Sequence, residues 1–396
     1  MNLLGYRSIL TRLSAASAVV LLAASSALSA THEQVLHSFS GVASGGATAM
    51  IFDSAGNLYG TANPGLADTG GVVFKLSPIS NGQWSYEVLY VFKNGYDGAY
   101  PSGRLVMDSS GNLYGTTGQA GYYNCGTAYE LTPNSSGLWD FSVLHAFTCS
   151  DGWGSESGML FDAAGNLYGG TSGGGLYGSG TAFELTRDSN GKWAFHSIFN
   201  FTGNGPTTDL VMDSEGNLYG AGYSAVFELS PQMDGSWAET SSYTFNTADG
   251  IYPFGRLTRD IAGNLYLTNT SGGEFHNGTA LRLSPQLDGT WVSTVLHSFN
   301  ASLPDGRTPA SGLALDDVGN LYGSTTSGGG RKAGAIFKLT RDGNGQYTES
   351  LLYSFAPGND GYQPQTGLVL DAKGNVYGAT TWGGTSGRGV VFKIIQ

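Results

Sequence analysis

The pattern Asp-x-x-Gly-Asn occurs seven times along the 396-residue chain, first within the stretch DSAGNLYGT at 53–61. Its copies follow one another roughly 50 residues apart, a spacing typical of propeller blades and long solenoid repeats. The Asn of the pattern stands at positions 57, 112, 166, 217, 264, 320 and 375. A chain that repeats itself in this way is expected to fold as an array of similar units, so the repeat constrains the fold more than any other feature.

Further short sequence strings recur with each copy of the pattern, and together they predict four short strands per repeat. An apolar string such as GLVLD at 367–371 leads into the turn as the first strand, NLYGT is the second, and a string of the VVFKL type after a long loop is the third. The fourth string begins near a Trp in most copies and ends in Phe, as in SVLHAF at 142–147. This pattern predicts an all-β fold in which each of seven propeller blades has four antiparallel strands.

The phase of the repeat predicts how the ring closes. After residue 30 the chain begins with a fourth-type strand, QVLHSF at 34–39, and its last strand, VVFKI at 390–394, is of the third type. Neither completes a repeat alone. If strand 34–39 pairs beside strand 390–394, the seventh blade is complete and the array has no exposed inner edge. A single seven-bladed β-propeller is therefore predicted over 31–396.

The repeated turn itself is interpreted as scaffold. Asp at its first position can accept backbone N–H groups as an Asx-turn, and Gly at its fourth position supplies a positive φ without steric cost. Calcium at each turn is the alternative, but one carboxylate is few among the roughly six to eight oxygens that calcium prefers. No cofactor is predicted, and calcium is kept as the alternative.

Charge and the N-terminus bear on location and partners. The net charge of −12, without clustered Lys and Arg, argues against nucleic acid as a partner. Arg7 and Arg12 precede a short alanine-rich apolar run, and small residues continue to Ala30, which predicts a signal peptide over 1–30. No later segment is apolar and long enough to span a bilayer. The expectation is a secreted monomer, extracellular or periplasmic.

The motif set DxxGNLYGTT, a GG-bearing loop, GxVFKL and DGxxP recurs in fixed order over about residues 34–396. It resembles the GloVer tandem-repeat family of secreted bacterial proteins, of the choice-of-anchor type. The resemblance implies export and a propeller-like array, and it supplies no catalytic residues. Such proteins often append a sorting or anchoring tail, whereas this sequence stops shortly after its last predicted strand.

The position four residues before each turn Asp should lie near the mouth of the central channel, because strand one is normally innermost in a propeller. It holds a small residue in four blades and Arg104, Asp209 or Arg256 in the others. The two arginines are candidates for holding a carboxylate or sulfate by paired hydrogen bonds. The alternative is a structural ion pair between Asp209 and Arg256 on adjacent blades, with Arg104 left to solvent.

The long loops between strands two and three share one face of the ring with the DGxxP loops. Variable loops on a rigid scaffold are favoured places for binding residues. Aromatic rings there could stack on a sugar or peptide, or could instead shield glycine-rich loops from water. The loop candidates are Tyr123, Trp153, Tyr177, His276 and Trp382. No second ligand accompanies the histidine in sequence, so no metal site is predicted.

The two cysteines are predicted to form a disulfide. Cys125 precedes the third strand of blade two and Cys149 follows the fourth strand. Because these strands should form an antiparallel hairpin, its open end brings the two residues together. A disulfide at this place is expected in an exported protein.

Three functions stay open on these observations. The leading hypothesis is a non-catalytic binding or interaction module that presents its long-loop face to a glycan or protein. The rival is an enzyme, a polysaccharide lyase or hydrolase, that acts at the channel mouth with Arg104, Arg256 and His276. The third is a structural component of the cell surface.

Overall fold

Seven antiparallel sheets follow one another along the chain and form the seven blades of a β-propeller, as the repeat predicts. The structure, a computed structural model, describes residues 31–45, 50–65, 69–155, 157–203, 205–301 and 304–396. Residues Thr31–Gln396 form one compact unit, and the predicted signal peptide over 1–30 lies outside the described residues. Apart from a single 3-10 turn at Ser80–Gly82, the regular structure of these residues is β-strand.

Three of the four strands of each blade are continuous, and they carry the repeated strings. The second strands are Leu58–Pro64, Leu113–Gln119, Leu167–Thr171, Leu218–Ala221, Leu265–Ser271, Leu321–Gly328 and Val376–Trp382. The third strands are Gly71–Pro78, Thr127–Pro133, Thr181–Arg187, Ala225–Pro231, Thr279–Pro285, Ala335–Arg341 and Val390–Ile395. The outermost, fourth strands are Trp84–Phe92, Trp139–Ala146, Trp193–Asn200, Trp237–Thr244, Trp291–Ser298, Tyr347–Ser354 and His32–Ser38.

The innermost strand is interrupted, which the sequence pattern did not predict. Its lower piece, just before the turn Asp, is Ile51–Phe52, Val106–Met107, Leu160–Phe161, Val211–Met212, Thr258–Arg259, Ala314–Leu315 or Val369–Leu370. In five blades an upper piece from the preceding loop pairs with the same second strand, at Ala43–Ser44, Ala99–Pro101, Ile251–Pro253, Gly306–Pro309 and Tyr362–Pro364. Between the two pieces the backbone leaves its own sheet, and there it can meet the neighbouring blade.

The ring closes as predicted. Strand His32–Ser38 pairs antiparallel with strand Val390–Ile395, so that His32 faces Ile395 and Ser38 faces Val390. The N-terminal segment thereby becomes the outermost strand of blade seven. The observed strand begins two residues before the predicted 34–39, and Phe39, just after it, is fully buried.

Each repeated turn is held by its own aspartate. The Asp53 Oδ1 atom accepts the backbone N–H groups of Ala55 and Asn57 at 2.9 and 2.8 Å. Its Oδ2 atom accepts the Asn57 side-chain amide at 2.7 Å and the Tyr59 hydroxyl at 3.1 Å. Gly56 has a φ of +83°, the left-handed conformation that favours glycine. Because the carboxylate already accepts four donors, the turn is well satisfied without a cation.

The hydrophobic core lies between neighbouring blades. The size of one aromatic ring in this core explains why the NLYG string ends in glycine. In blade three a Cβ atom on Gly169 would lie 2.4 Å from the ring of Phe183, the aromatic residue of the third strand. Blade five has Leu267 at the glycine position and Leu281 in place of the aromatic residue, and both leucines are buried. The glycine is therefore required by the size of the ring opposite it, because cores are packed without spare volume.

Candidate functional site

The three charged residues predicted at the channel mouth lie where the inner strand is interrupted. There, the inner segments of neighbouring blades contact one another from blade two to blade six. Thr208 forms a parallel bridge to Gly255, and Arg256 forms one to Gly312. A Cβ atom on Gly158 would lie 2.9 Å from the Cβ atom of Arg104, so these two residues are also neighbours. The inner segments of blades two to six are therefore joined directly to one another beside the channel.

The aspartate is bound from two sides. The Oδ1 atom of Asp209 accepts a hydrogen bond from the backbone N–H of Gly158 at 2.7 Å. Its Oδ2 atom lies 3.7 Å from the Nε atom of Arg104, two blades away in chain order. Among the described residues this is its only ion pair within 4 Å, so the alternative of an Asp209–Arg256 pair with Arg104 left to solvent is wrong. Gly158 lies between Arg104 and Asp209 in blade order, and a Cβ atom there would lie within 3 Å of the backbone and the Cβ atom of Arg104.

Arg256 faces the same space as the other two residues. Its pKa is lowered to about 10 by burial and by the positive charge of Arg104, while the negative charge of Asp209 opposes this shift. It stays protonated at neutral pH. The site therefore combines two positive charges and one negative charge, and the Nε atom of Arg104 is buried without a hydrogen-bond partner. Such an unsatisfied donor is costly unless a ligand or water completes it.

A cavity of about 310 Å³ contains the two arginines. Its lining comes from the inner strands of five blades, which identifies it as part of the central channel. The lining residues are Met50, Ile51, Phe52, Arg104, Arg256, Ala314, Leu315, Leu368, Val369 and Leu370. The volume is at the lower end of small-molecule sites, which run from about 300 to 1,000 Å³. The arrangement can hold a small anionic group with an apolar portion.

The long-loop candidates lie away from this channel, at the rim of the ring. In blades three and five the tight turn of the long loop contacts the end of the outermost strand: the Leu176 N–H donates to Asn200 Oδ1 at 2.7 Å, and the Glu274 N–H to Ser298 Oγ at 2.8 Å. Tyr177 and His276 follow within two residues of these anchors. The structure therefore does not bring His276 together with the two channel arginines.

Tyr123 belongs to the same rim turn in blade two, where the disulfide replaces the usual anchor. Blade two carries Ala146 at the position that Asn200 occupies in blade three, so the loop has no side-chain acceptor there. The predicted bond between Cys125 and Cys149 is present and joins the loop to the segment after the outer strand. Tyr123 is half exposed, and the ring of Tyr122 contacts the rings of both Tyr96 and Tyr123.

The two tryptophan candidates differ in their surroundings. The Trp153 backbone forms a bridge with Gly173, and a Cβ atom on that glycine would lie 2.2 Å from the indole ring. The ring therefore covers a glycine of the neighbouring loop, as the shielding alternative expects, while about half of it stays exposed. Trp382 ends the second strand of blade seven opposite Tyr362 and is exposed to the same extent.

Two glutamates that sequence reasoning did not select are the most perturbed carboxyl groups. Glu33 and Glu349 occupy the same position of outermost strands, in blades seven and six. Burial raises the pKa of each to about 7, assisted by the negative charge of Asp360 and Asp305, respectively. One oxygen of each is buried without a hydrogen-bond partner. The sequence signal that could have identified these glutamates is a charged residue at the strand position that holds Phe141 in blade two and Phe195 in blade three.

The geometry defines the class of protein: a seven-bladed β-propeller with a cationic channel mouth and an aromatic rim. A family model described as the Gloeobacter/Verrucomicrobia repeat matches residues 24–224, 136–314 and 221–396. The chain belongs to this family, which confirms the resemblance to the GloVer repeats. It has no significant match among curated proteins.

Solved structures share the fold at low sequence identity. Selenomethionine-substituted virginiamycin B lyase from Staphylococcus aureus has a TM-score of 0.56 at 13% identity, over 92% of this chain and 99% of that chain. A protein from Lactobacillus plantarum has a TM-score of 0.53 at 14% identity, over 89% of each chain. A periplasmic gluconolactonase from Pseudomonas aeruginosa has a TM-score of 0.53 at 15% identity, over 77% of this chain and 84% of that chain. The likeness is one of fold alone.

The described residues also contain no helix that is both long and apolar enough to cross a membrane.

Proposed function

We propose that this protein is an exported, non-catalytic binding module whose channel mouth holds the anionic group of a glycan or protein ligand. The observation that carries the proposal is the pair Arg104 and Arg256 in one cavity, with Asp209 as the neighbouring carboxylate. Two cations and one anion leave a local excess of positive charge. In a chain of net charge −12, this concentration is a local exception that favours an acidic ligand.

The arginines are suited to a carboxylate or sulfate because a guanidinium offers several donors in one plane. The buried Nε atom of Arg104 is one such donor without a partner. Apolar side chains around it lower the local dielectric and strengthen a charge-assisted hydrogen bond. The exposed rim rings, among them Tyr123 and Tyr177, would add contacts with the rest of a larger ligand.

The predicted signal peptide and the disulfide support export, since disulfides persist mainly in oxidising compartments.

The rival enzyme hypothesis has less support. It required His276 beside the two arginines, but this residue lies in a rim turn anchored to an outermost strand. The described cavity lining contains apolar side chains and two arginines, and an arginine with a pKa of about 10 is a poor general base near neutral pH. Two proteins of similar fold are a lyase and a gluconolactonase by name, so the fold is compatible with catalysis.

The test measures binding of polygalacturonate fragments, a peptide with a free C-terminal carboxylate, and neutral dextran to the purified protein. Calorimetry at low ionic strength should detect binding of an acidic probe and none of dextran. Arg104→Gln and Arg256→Gln should each weaken it by about 10- to 100-fold, the equivalent of roughly 1.5–3 kcal/mol for a hydrogen bond to a charged group.

Arg307→Gln is the matched control, because it removes one exposed arginine from a loop strand on the same face. It should leave binding unchanged. Failure of both acidic probes, or equal weakening in all three variants, would refute the proposal. Analysis of the incubated glycan separates the rival: new chain ends indicate an enzyme, and extensive self-association without ligand binding indicates a structural component.

A further inference from the structure

A recurring hydrogen bond links the outermost strand of a blade to the loop that follows it. A Tyr or His two residues before the terminal Phe bonds the Asp that opens the DGxxP loop. The distances are 2.9 Å for Tyr90–Asp97, 3.0 Å for His145–Asp151, 2.8 Å for Tyr243–Asp249, 3.0 Å for His297–Asp305 and 2.8 Å for Tyr353–Asp360. The His297–Asp305 contact is therefore, by itself, part of the repeat scaffold.

A third residue, from the outermost strand of the next blade, packs against this pair. In two such junctions it is an aromatic ring: Phe141 stacks on Tyr90 at 4.4 Å, and Phe195 stacks on His145 at 3.8 Å. Between blades five and six the same position holds Glu349. A carboxylate thus occupies the position that an uncharged ring fills in those two junctions.

This replacement leaves a carboxylate poorly compensated. The Oε1 atom of Glu349 is buried and has no hydrogen-bond partner. The Asp305 carboxylate and the His297 imidazole lie in the same junction. A buried carboxylate normally has a hydrogen-bond or charge partner, and two carboxylates in one junction repel each other unless a proton or a cation neutralises part of their charge.

The three side chains are close enough to share an ion. One ligand atom from each of His297, Asp305 and Glu349 lies within 4.8 Å of the other two. Bonds of about 2.0–2.2 Å to a tetrahedral ion require ligand atoms roughly 3.3 Å apart, so small side-chain rotations suffice. Asp305 is already oriented by the backbone N–H groups of Asn300 and Gly306, at 2.8 and 2.6 Å. Such outer hydrogen bonds are typical of metal ligands.

We propose that His297, Asp305 and Glu349 form a binding site for one divalent transition-metal ion at the junction of blades five and six. One imidazole nitrogen with two carboxylate oxygens suits Zn²⁺ better than Ca²⁺ or Mg²⁺, which prefer oxygen ligands in larger number. A fourth position stays available to water. The ion would join the outermost strands of two blades by bridging their charges, and it is independent of the channel arginines.

The probe is ZnCl₂, titrated into tag-free, chelator-treated protein at pH 7.5, with bound zinc counted by elemental analysis. One zinc ion per chain is expected. Glu349→Phe and His297→Tyr should each weaken binding by at least about 100-fold, because each removes one of three ligands. Both replacements are residues that equivalent positions of other blades hold, as with Phe195 and Tyr353, so the fold should tolerate them.

His145→Tyr is the matched control. His145 makes the same bond to its aspartate as His297 does, but it faces Phe195 rather than a glutamate. This variant should keep one zinc ion with unchanged affinity. Absence of stoichiometric zinc from the wild-type protein would overturn the proposal, and so would equal loss in all three variants. Thermal unfolding in chelator checks that each variant is folded, so that lost binding is not mistaken for lost structure.

Discussion

If the repeated turn is scaffold, its aspartate should stabilise the fold by an amount that its hydrogen bonds determine. Asp371 and Asp342 allow a matched comparison. Each accepts two backbone N–H groups on Oδ1, at 2.8–2.9 Å. Only Asp371 also accepts side-chain donors on Oδ2, from Asn375 at 2.7 Å and from Tyr377 at 3.0 Å. We predict that Asp371→Ala is clearly more destabilising than Asp342→Ala.

The magnitude follows from these contacts. Loss of the two backbone bonds resembles loss of a helix N-cap, which costs about 1 kcal/mol, and applies to both variants. Asp371→Ala in addition leaves the donors of Asn375 and Tyr377 without their acceptor, and both residues are almost fully buried. Each lost bond costs about 1 kcal/mol after allowance for the partial exposure of the carboxylate. The totals are about 3 kcal/mol for Asp371→Ala and about 1 kcal/mol for Asp342→Ala.

Urea unfolding followed by tryptophan fluorescence, together with thermal unfolding, measures the difference. In a unit of this size 1 kcal/mol corresponds to about 1–2 °C in Tm, so the two variants should differ by about 3 °C. Indistinguishable midpoints would refute the assignment of stability to the Oδ2 bonds. A rise in wild-type Tm with millimolar calcium that Asp371→Ala reduces and Asp342→Ala does not would instead support calcium at the turn.

Two further predictions concern titration and the disulfide. Glu33 and Glu349 have a folded pKa of about 7, above the ordinary value of 4.5, so the native state holds their protons and gains stability at low pH that is lost as pH rises through 7. A double variant with Gln at both positions, measured in chelator, should therefore gain stability relative to the wild type as the pH rises from 5 to 8. The expected gain is about 1–2 kcal/mol per residue after allowance for partial exposure. A difference in urea midpoints that does not change with pH would contradict this. Replacing Cys125 and Cys149 with Ser should lower the free energy of unfolding by about 3 kcal/mol, given their 24-residue separation. If the wild-type protein has the same urea midpoint in reducing and oxidising buffers, the disulfide does not stabilise the fold.

The fold was predictable because its determinants are local and repeated. The seven turn aspartates mark the hairpins, and the split repeat at 34–39 and 390–394 indicates closure without any knowledge of side-chain positions. The disulfide followed from hairpin geometry alone. What the pattern could not show is the interruption of the inner strand, because there the backbone pairs with another blade rather than with its own sheet.

The site was predictable only in part, for a related reason. Position within the repeat placed Arg104, Asp209 and Arg256 at the channel, but not the pairing among them. Adjacent blades suggested Asp209 with Arg256, whereas Asp209 pairs with Arg104 from two blades away and accepts the backbone N–H of Gly158 from the blade between them. A backbone N–H of a glycine such as Gly158 does not appear in a list of charged residues, so the sequence did not indicate its part in this site. The junction that contains Glu349 was missed because its members come from two blades and are not close in sequence.

The closure of the ring has a consequence for how the protein is made. Strand His32–Ser38 is among the first described segments to be synthesised, and its partner Val390–Ile395 is among the last, about 350 residues later. Until strand Val390–Ile395 is synthesised, strand His32–Ser38 lacks the partner with which it pairs in the folded protein. Contacts over such separations carry a large loop-closure entropy and form slowly. A chain truncated before Val390 lacks the strand that pairs with His32–Ser38, so it cannot close the ring in this way.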